Sequence, residues 1–309
     1  MDISAVVVSF DSGEFLERNL RSLAAQTVAF RKIVVVDNAS RDGSAERIAA
    51  CPGLDALLLK ENLGYAAAAN LGIDRTDSQL VLVANADVFL APDFNSRALD
   101  FFRRRPQAAL LSPLLLRFDG VTVDSAGQER TRALYPRETG FGRPLAGMAL
   151  REQEVFSVCG AATVFSRPAL ERLRINGEYY DADFFMFWED FDIGWRANLL
   201  GLRAFLAPDV VAYHFRSATL PRSPWSRVSL ALARPAALRF HLVKNRYLTL
   251  VKNFRWRRDW AALPFLLLRD LLWVGALTIR SPKIIIALAR SRGAFRRARE
   301  KRKRIRAHE

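Results

Sequence analysis

Two stretches decide the fold: Ile3-Ser-Ala-Val-Val-Val-Ser-Phe10 and Arg31-Lys-Ile-Val-Val-Val-Asp37. Both are short, apolar and rich in β-branched residues, and the helix-like stretch Glu14 to Gln26 lies between them. Strand, helix, strand in that order predicts parallel, buried strands. Asn38-Ala-Ser-Arg-Asp-Gly43 supplies turn residues and a helix cap before Ala45 to Ala50. Two more strands are expected at Leu54 to Leu59 and Gln79 to Ala84, with the helix-like Tyr65 to Ile73 between them. The first hundred residues therefore read as a nucleotide-binding α/β unit.

In open parallel sheets, ligands bind beyond the carboxyl ends of the strands. The polar residues closing these runs are Asp37, Asn62 and Asn85-Ala-Asp87, and they are expected to converge on one cleft. No Gly-X-Gly-X-X-Gly or P-loop follows any of these strands, which argues against dinucleotide oxidoreductases and P-loop nucleotide hydrolases.

Outward from this unit, residues 110 to 160 carry Gly or Pro at 113, 120, 127, 136, 140, 142, 144 and 147. They read as loops and short strands forming an acceptor-side wall. An acid-rich helix is expected from Trp188 to Leu200. The composition then shifts to Leu, Ala, Arg and Trp from about Trp225, and the final residues are rich in Arg and Lys. There is no internal repeat.

At 309 residues, half of them hydrophobic, the chain can bury a full-sized core. Cys51 and Cys159 are too far apart for a zinc or redox motif and read as buried apolar residues. They fit a reducing, cytoplasmic setting, and the start of the chain lacks the pattern of a signal peptide. Net charge is +15, unevenly spread. From Arg216 onward there are 24 Lys/Arg against 4 Asp/Glu, whereas residues 1–215 carry 23 against 28. A basic tail on a mildly acidic body suggests docking to an anionic surface, with the chemistry elsewhere.

Several residues are suited to chemistry, each with a plainer alternative. Asp37, at a strand end, can accept the imide N–H of a pyrimidine base, or it can simply cap the next helix. Asp87 can hold a hard cation that prefers oxygen ligands, or it can be a solvated loop acid. Glu189-Asp190-Phe-Asp192 follows Phe184-Phe-Met-Phe-Trp188, and acids so flanked are expected to be partly desolvated, which raises a carboxylate's pKa and makes it a better base. His214, after the strand-like Val210-Val-Ala-Tyr213, can complete a metal site, although a lone histidine is more often structural.

Taken in order, Val6-Val-Val-Ser-Phe10, Val35-Val-Asp-Asn-Ala-Ser40, Glu61-Asn-Leu-Gly-Tyr-Ala-Ala-Ala-Ala-Asn70, Asn85-Ala-Asp87, Cys159-Gly-Ala-Ala162, Trp188-Glu-Asp-Phe-Asp192 with Arg196, and His214 resemble the family 2 glycosyltransferases. The likeness is greatest to bacterial rhamnosyltransferase-like enzymes of cell-surface polysaccharide synthesis, and it covers roughly residues 3–216. The resemblance implies a type A glycosyltransferase fold, in which a mostly parallel nucleotide-binding sheet is flanked by helices and followed here by a basic helical extension. With the change in composition, the chain is expected to divide into a catalytic domain at 1–220, with a nucleotide half to about 105 and an acceptor half after it, and an extension at 221–309.

The same resemblance places Asp37 at the nucleobase and Ser9, Asn62, Gly64, Asn70, Asn85 and Asp87 around the nucleotide sugar. Asp190 becomes the catalytic base, with Glu189 as the fallback. Gly160, Ala161, Trp188, Asp192 and Arg196 fall on the acceptor side. The family's usual Asp-X-Asp is Asn85-Ala-Asp87 here, so one carboxylate remains for a Mg²⁺ or Mn²⁺ ion and His214 gains weight as second ligand. The implied reaction is inverting sugar transfer from a nucleotide diphosphate donor to a glycan or lipid-linked acceptor. The rival readings are a nucleotidyltransferase, for which Ser9-Phe-Asp-Ser-Gly13 is a poor phosphate loop, and a non-catalytic anionic-surface binder. The acidic body argues against nucleic acid as a partner.

Trp260 to Ile279 is long enough to span a bilayer, yet Arg269-Asp270 lies at its midpoint. Trp256, Trp260 and Trp273 among Leu and Arg better suit helices lying in the headgroup layer, with Arg290 to Arg306 adding attraction to anionic lipid. Peripheral attachment at the inner face of the cell membrane is the expectation. The alternative is helices packed on the catalytic domain or on a second subunit of a homo-oligomer.

Overall fold

A computed structural model describes residues 1–215 and 236–309. The expected boundary at 220/221 and the composition change near Trp225 lie outside the described residues. The nucleotide half runs β1 (Ile3–Ser9), α1 (Gly13–Ala24), β2 (Lys32–Asp37), α2 (Ser44–Ala49), β3 (Asp55–Leu58), α3 (Tyr65–Ile73), β4 (Leu80–Asn85), β5 (Val88–Leu90) and α4 (Phe94–Arg104). β3, β2, β1 and β4 lie side by side, all parallel.

Alternate residues of these strands enter two cores, one on each face of the sheet. Val6, Val8, Val34, Val36, Val81 and Val83 point to one, while Ala5, Val7, Val35, Leu80 and Leu82 point to the other. Burial on both faces explains the mostly apolar runs, and the one polar residue within β1 before its end, Ser4, is buried with Ser78 as its hydroxyl partner. Each buried Val contributes about 1.5–3 kcal/mol. The alanine-rich α3 packs close to the sheet, where a Cβ on Gly72 would lie 2.3 Å from Val6 Cγ1.

The second half adds β6 (Ala108–Arg117), β7 (Val123–Ser125), β8 (Gln128–Arg130), β9 (Pro136–Glu138), β10 (Gln153–Val155), β11 (Ala162–Ser166), α5 (Arg167–Leu173), α6 (Glu189–Leu199) and β12 (Arg203–His214). β11 runs antiparallel between β4 and β6, and β12 lies parallel to β6. One sheet thus crosses both halves. The expected irregular wall at 110–160 is corrected in its first part, because β6 is a ten-residue, almost wholly buried strand. Pro113 disguised it. Pro113 pairs with Ala207, where the register with β12 shifts before Val211, and such a bulge is a place where a strand tolerates a residue without N–H.

After the undescribed segment come α7 (Ala236–Asn253), α8 (Trp256–Asp259), α9 (Leu263–Arg280), α10 (Lys283–Arg290) and α11 (Arg292–Ala307). α7 and α11 pack against residues 178–192 rather than lying apart from the body. Lys252 Nζ meets the carboxylates of Asp181 and Asp192, Asn253 Nδ2 donates to Asp192 Oδ1 at 2.7 Å, and Lys301 reaches Asp181 at 2.6 Å. Of the three tail tryptophans expected at a headgroup layer, Trp256 and Trp260 are exposed, but Trp273 is buried beside Val243 and Ile284. Among the described residues, no helix is long and apolar enough to cross a membrane.

Candidate active site

The register brings the strand-end residues together. Ser9 pairs with Asp37 and Val8 with Asn85, so Ser9, Asp37 and Asn85 line one edge of the parallel sheet. The loops beyond are cross-tied. Asp37 accepts from Ser40 N at 3.0 Å and from Ser40 Oγ at 2.6 Å, and Ser40 Oγ accepts from Asp11 N at 2.9 Å. Asn38 Oδ1 accepts from Leu63 N, and Asn62 Oδ1 from Gly64 N, both at 2.8 Å. Asp37 therefore makes the plain turn contacts, at the carboxyl end of β2. Ser9 Oγ is buried and donates to Ser12 Oγ at 3.1 Å.

Asp87 lies on the turn between β4 and β5. Asn19 of α1, fully buried, ties that turn down by donating to Val88 O at 2.6 Å. β12 ends beside it, and His214 Nε2 lies 3.4 Å from Asp87 Oδ1 while Nδ1 lies 2.8 Å from Asp124 Oδ2. Burial opposes charge on this imidazole, yet the Asp124 and Asp87 carboxylates outweigh it and lift the pKa to about 9. A positive charge is thus called for between the two acids. The donor set, one carboxylate oxygen and one imidazole nitrogen whose partner nitrogen is held by a second carboxylate, is also that of a metal ligand pair with its outer support. Asp124 carries no motif, and sequence reasoning missed it.

The antiparallel pairing of β11 with β4 puts Ala161 O within 3.0 Å of Asn85 N, and the residue before it, Gly160, meets the acid helix. Gly160 N donates to Asp190 Oδ2 at 3.0 Å, Gln128 Nε2 to the same oxygen at 2.9 Å and Phe191 N to Oδ1 at 2.7 Å. A Cβ on Gly160 would lie 3.0 Å from Asp190 Cβ, so glycine is what lets the acid come this near. Burial raises the Asp190 pKa, opposed by those three donors. Burial, reinforced by the Asp190 charge, pushes Glu189 up to about 8. Burial thus favours the protonated form of Glu189, while Asp190 carries the donor contacts of a carboxylate. Tyr65 Oη donates to Gly160 O at 3.1 Å, and burial keeps this phenol protonated.

Glu138, Cys159 and Asp190 also offer ligand atoms within 4.8 Å of one another. Gln128 Nε2 bridges Glu138 and Asp190 there, and a thiol is a poor donor for a hard cation, so Asp87 and His214 are the better pair. Gln128 and Glu138 were not foreseen from the sequence.

The loop leading to Asp190 is strained. Phe185, Phe187 and Trp188 have φ of 65°, 68° and 74°, a region that favours glycine. Asn245 of α7, fully buried, holds it, with Nδ2 at 2.9, 2.7 and 2.8 Å from the carbonyl oxygens of Phe184, Met186 and Phe187.

Five expected site residues are engaged in contacts within the protein. Asn70 does not face the nucleotide cleft; it is buried and bonds Tyr179 N, Tyr180 N and Tyr180 O. Asp192 and Arg196 are 0% and 2% exposed and pair with each other at 3.1 Å beneath the site. Their charges are spent on Lys252, Asn253 and the carbonyls of Leu173 and Tyr179, so neither reaches an acceptor. Gly64 meets Phe185, whose carbonyl oxygen a Cβ would approach to 2.5 Å, and its glycine serves that contact. Trp188 is buried edge-on to Tyr135 at 4.9 Å.

A parallel sheet whose carboxyl edge carries Asp37 and Asn85, with a reversed strand bringing Gly160 to an acidic helix, defines the type A glycosyltransferase fold. Residues 4–174 match the family described as Glycosyl transferase family 2, and the chain belongs to that family of transferases. The chain is 27% identical over 256 residues to an N-acetylglucosaminyl-diphospho-decaprenol L-rhamnosyltransferase of Mycobacterium tuberculosis, covering 74% of this chain and 80% of the relative. Among solved structures, TarS of S. aureus matches with a TM-score of 0.57 at 16% identity, over 99% of this chain and 54% of that one. A mannosyltransferase of Pyrobaculum calidifontis in complex with GDP-Man and Mn²⁺ matches with a TM-score of 0.54 at 17% identity, over 99% and 85%.

Proposed function

We propose that this glycosyltransferase performs a single inverting displacement, with Asp190 as catalytic base. Asp190 takes the proton of an acceptor hydroxyl as that oxygen attacks the anomeric carbon of a nucleotide diphosphate sugar, and the bond to the diphosphate breaks on the opposite side. No second carboxylate need act as nucleophile, since no glycosyl-enzyme is formed. The observation that carries this reading is the placement of Asp190, held by Gly160 N and Gln128 Nε2 at the carboxyl edge of the nucleotide sheet. Gly160 and Ala161 would lie beside the sugar and acceptor in this reading. Ser9, Asp37, Asn62 and Asn85 line the donor side, with Asp37 toward the base.

Asp87 and His214 would hold a divalent cation, Mg²⁺ or Mn²⁺, which when bound offsets the charge growing on the leaving diphosphate. The complex of the Pyrobaculum mannosyltransferase supports a cation of this kind. The Mycobacterium relative, named for a diphospho-decaprenol substrate, supports a lipid-linked acceptor in cell-surface polysaccharide synthesis, and with it a peripheral place on the cytoplasmic face of the membrane. Residues 1–220 form the catalytic unit in this reading. Residues 221–309 form the extension, and its helix α7 braces the loop before Asp190 through Asn245.

The test is release of nucleoside diphosphate from a panel of UDP-, GDP- and dTDP-sugars by the full chain with Mn²⁺. One donor or a small set is expected to be turned over, and turnover is expected to be lost in Asp190→Asn. Release from none, with no measurable binding of any donor, overturns the proposal.

A further inference from the structure

α9 wears its polarity inside out. Leu268, Leu271, Leu272 and Ile279 recur at helical spacing and are 58%, 75%, 66% and 85% exposed, where a surface helix ordinarily presents charge. The two charges in the middle of the helix are turned inward. Asp270 pairs with Arg246 at 2.6 Å, and the Arg269 guanidinium lies 3.8 Å from the centre of the Tyr135 ring. The charges that rule out a membrane span are thus absorbed by the protein, and the outward face stays apolar. α10 continues it with Ile285 and Ile286, both more than half exposed. An exposed apolar surface of this extent marks a docking site.

We propose that this α9–α10 face seats the enzyme on an anionic bilayer, with the leucine and isoleucine side chains inserted among the acyl chains and the helices lying in the plane of the headgroups. Charge selects this occupant over a second copy of the chain. Lys283 and Arg290 line the same cleft as Ile286, exposed Arg257 and Arg258 stand beside exposed Trp256 and Trp260, and the outer side of α11 adds exposed Arg292, Arg296 and Arg299. A two-fold pairing of copies through this face would set cation against cation, whereas anionic headgroups complement it. Not all of the basic tail takes part, because Arg297, Lys301 and Arg302 are turned onto Asp183, Asp181 and Val251 O.

The surface has a short route to the chemistry. Tyr135 contacts Arg269 and Trp273 of the docking helix and, at 4.9 Å, Trp188, the residue just before Glu189 and Asp190. Contacts through Tyr135 and Trp188 therefore link α9 to the start of the helix that carries Glu189 and Asp190. The surface rests on the lipid-acceptor reading above, but vesicle binding tests it without any transfer.

The experiment is co-sedimentation of the full chain with phosphatidylcholine vesicles, with and without phosphatidylglycerol, at low and high salt. Leu272→Glu and Ile286→Glu, on separate helices, are run beside Lys283→Glu/Arg290→Glu, with thermal unfolding to establish folding and sedimentation equilibrium to give mass. The wild type is expected to prefer the anionic vesicles. Each apolar-to-Glu variant is expected to lose roughly tenfold or more in partitioning at either salt, and the charge-reversed variant to lose binding chiefly at low salt. Unchanged binding by both folded Leu272→Glu and Ile286→Glu, or a wild-type dimer that either variant converts to monomer, overturns the proposal. Loss of vesicle binding with donor turnover intact leaves the transfer reading standing, so the two fail separately.

Discussion

Glu189→Gln is the sharpest probe of how the paired acids divide their roles. The Glu189 side chain has one oxygen, Oε2, enclosed without a hydrogen-bond partner among the described residues, and burial together with the Asp190 charge lifts its pKa from 4.5 to about 8. The folded chain therefore holds a proton at neutral pH that the unfolded chain has released. A carboxyl raised in this way leaves stability fully present below the unfolded value, and stability is lost as pH rises toward the folded one. The slope from this one group is at most about 1.4 kcal/mol per pH unit, over the window from 4.5 to about 8. Gln is neutral throughout and nearly the same shape, so the variant escapes the loss. Urea unfolding of both proteins, followed by tryptophan fluorescence at several pH values from 5 to about 8, is expected to give a difference curve that rises with pH in favour of the variant. Titrating groups that do not interact with Glu189 cancel in that difference, whereas Asp190, coupled to it, does not. Parallel curves would refute the assignment of the proton to Glu189. Nucleoside diphosphate release by Glu189→Gln is expected to stay within several-fold of wild type if, as proposed, Asp190 is the base.

Asp190→Asn is expected to cost about 10²–10⁴-fold in transfer while donor affinity by calorimetry is nearly unchanged, since a base acts chiefly in the transition state; near-normal transfer here with an inactive Glu189→Gln would move the base by one residue. Asp87→Ala and His214→Ala are expected to raise the Mn²⁺ concentration needed for half-maximal sugar release, and Asp124→Asn, acting through His214, to raise it about 10-fold or more. Full activity in excess chelator would remove the metal from the account. Asn245→Ala removes the amide that holds three carbonyls of the strained loop, at about 1 kcal/mol net for each contact, so thermal stability is expected to fall and kcat to drop about 10²-fold with little change in donor KM. Unaltered kcat would show that the loop keeps its geometry unaided.

The strand runs at 3–10, 31–37 and 79–84 were legible because a strand covered on both faces admits mostly apolar residues, and the polar residues closing them, Ser9, Asp37 and Asn85, stand at one sheet edge through a register that parallel pairing imposes. The enclosure of Asp190 was legible because acids among aromatics are rare on a solvated helix. β6 was not, since Pro113 looks like a strand breaker until the bulge in its partner strand is seen. Asp192 and Arg196 share the motif's local setting with Asp190, and residue type alone does not reveal that one face of α6 opens to the cleft while the other is sealed by α7. Burial of that face changes acids from chemistry to support.

Local pattern, then, was enough for the class of fold, the order of the elements from β1 to β4 and the family, because periodicity and strand-end polarity are properties of neighbouring residues. What required the folded chain was every pairing across distance: Asp124 behind His214, Gln128 and Gly160 on Asp190, and Asn245 on the catalytic loop. The same holds for the tail. Its composition announced basic, apolar helices, but only packing decided that Arg269, Asp270 and Trp273 turn inward while the leucines of α9 face out, since a helix's outer face is defined by what covers the inner one.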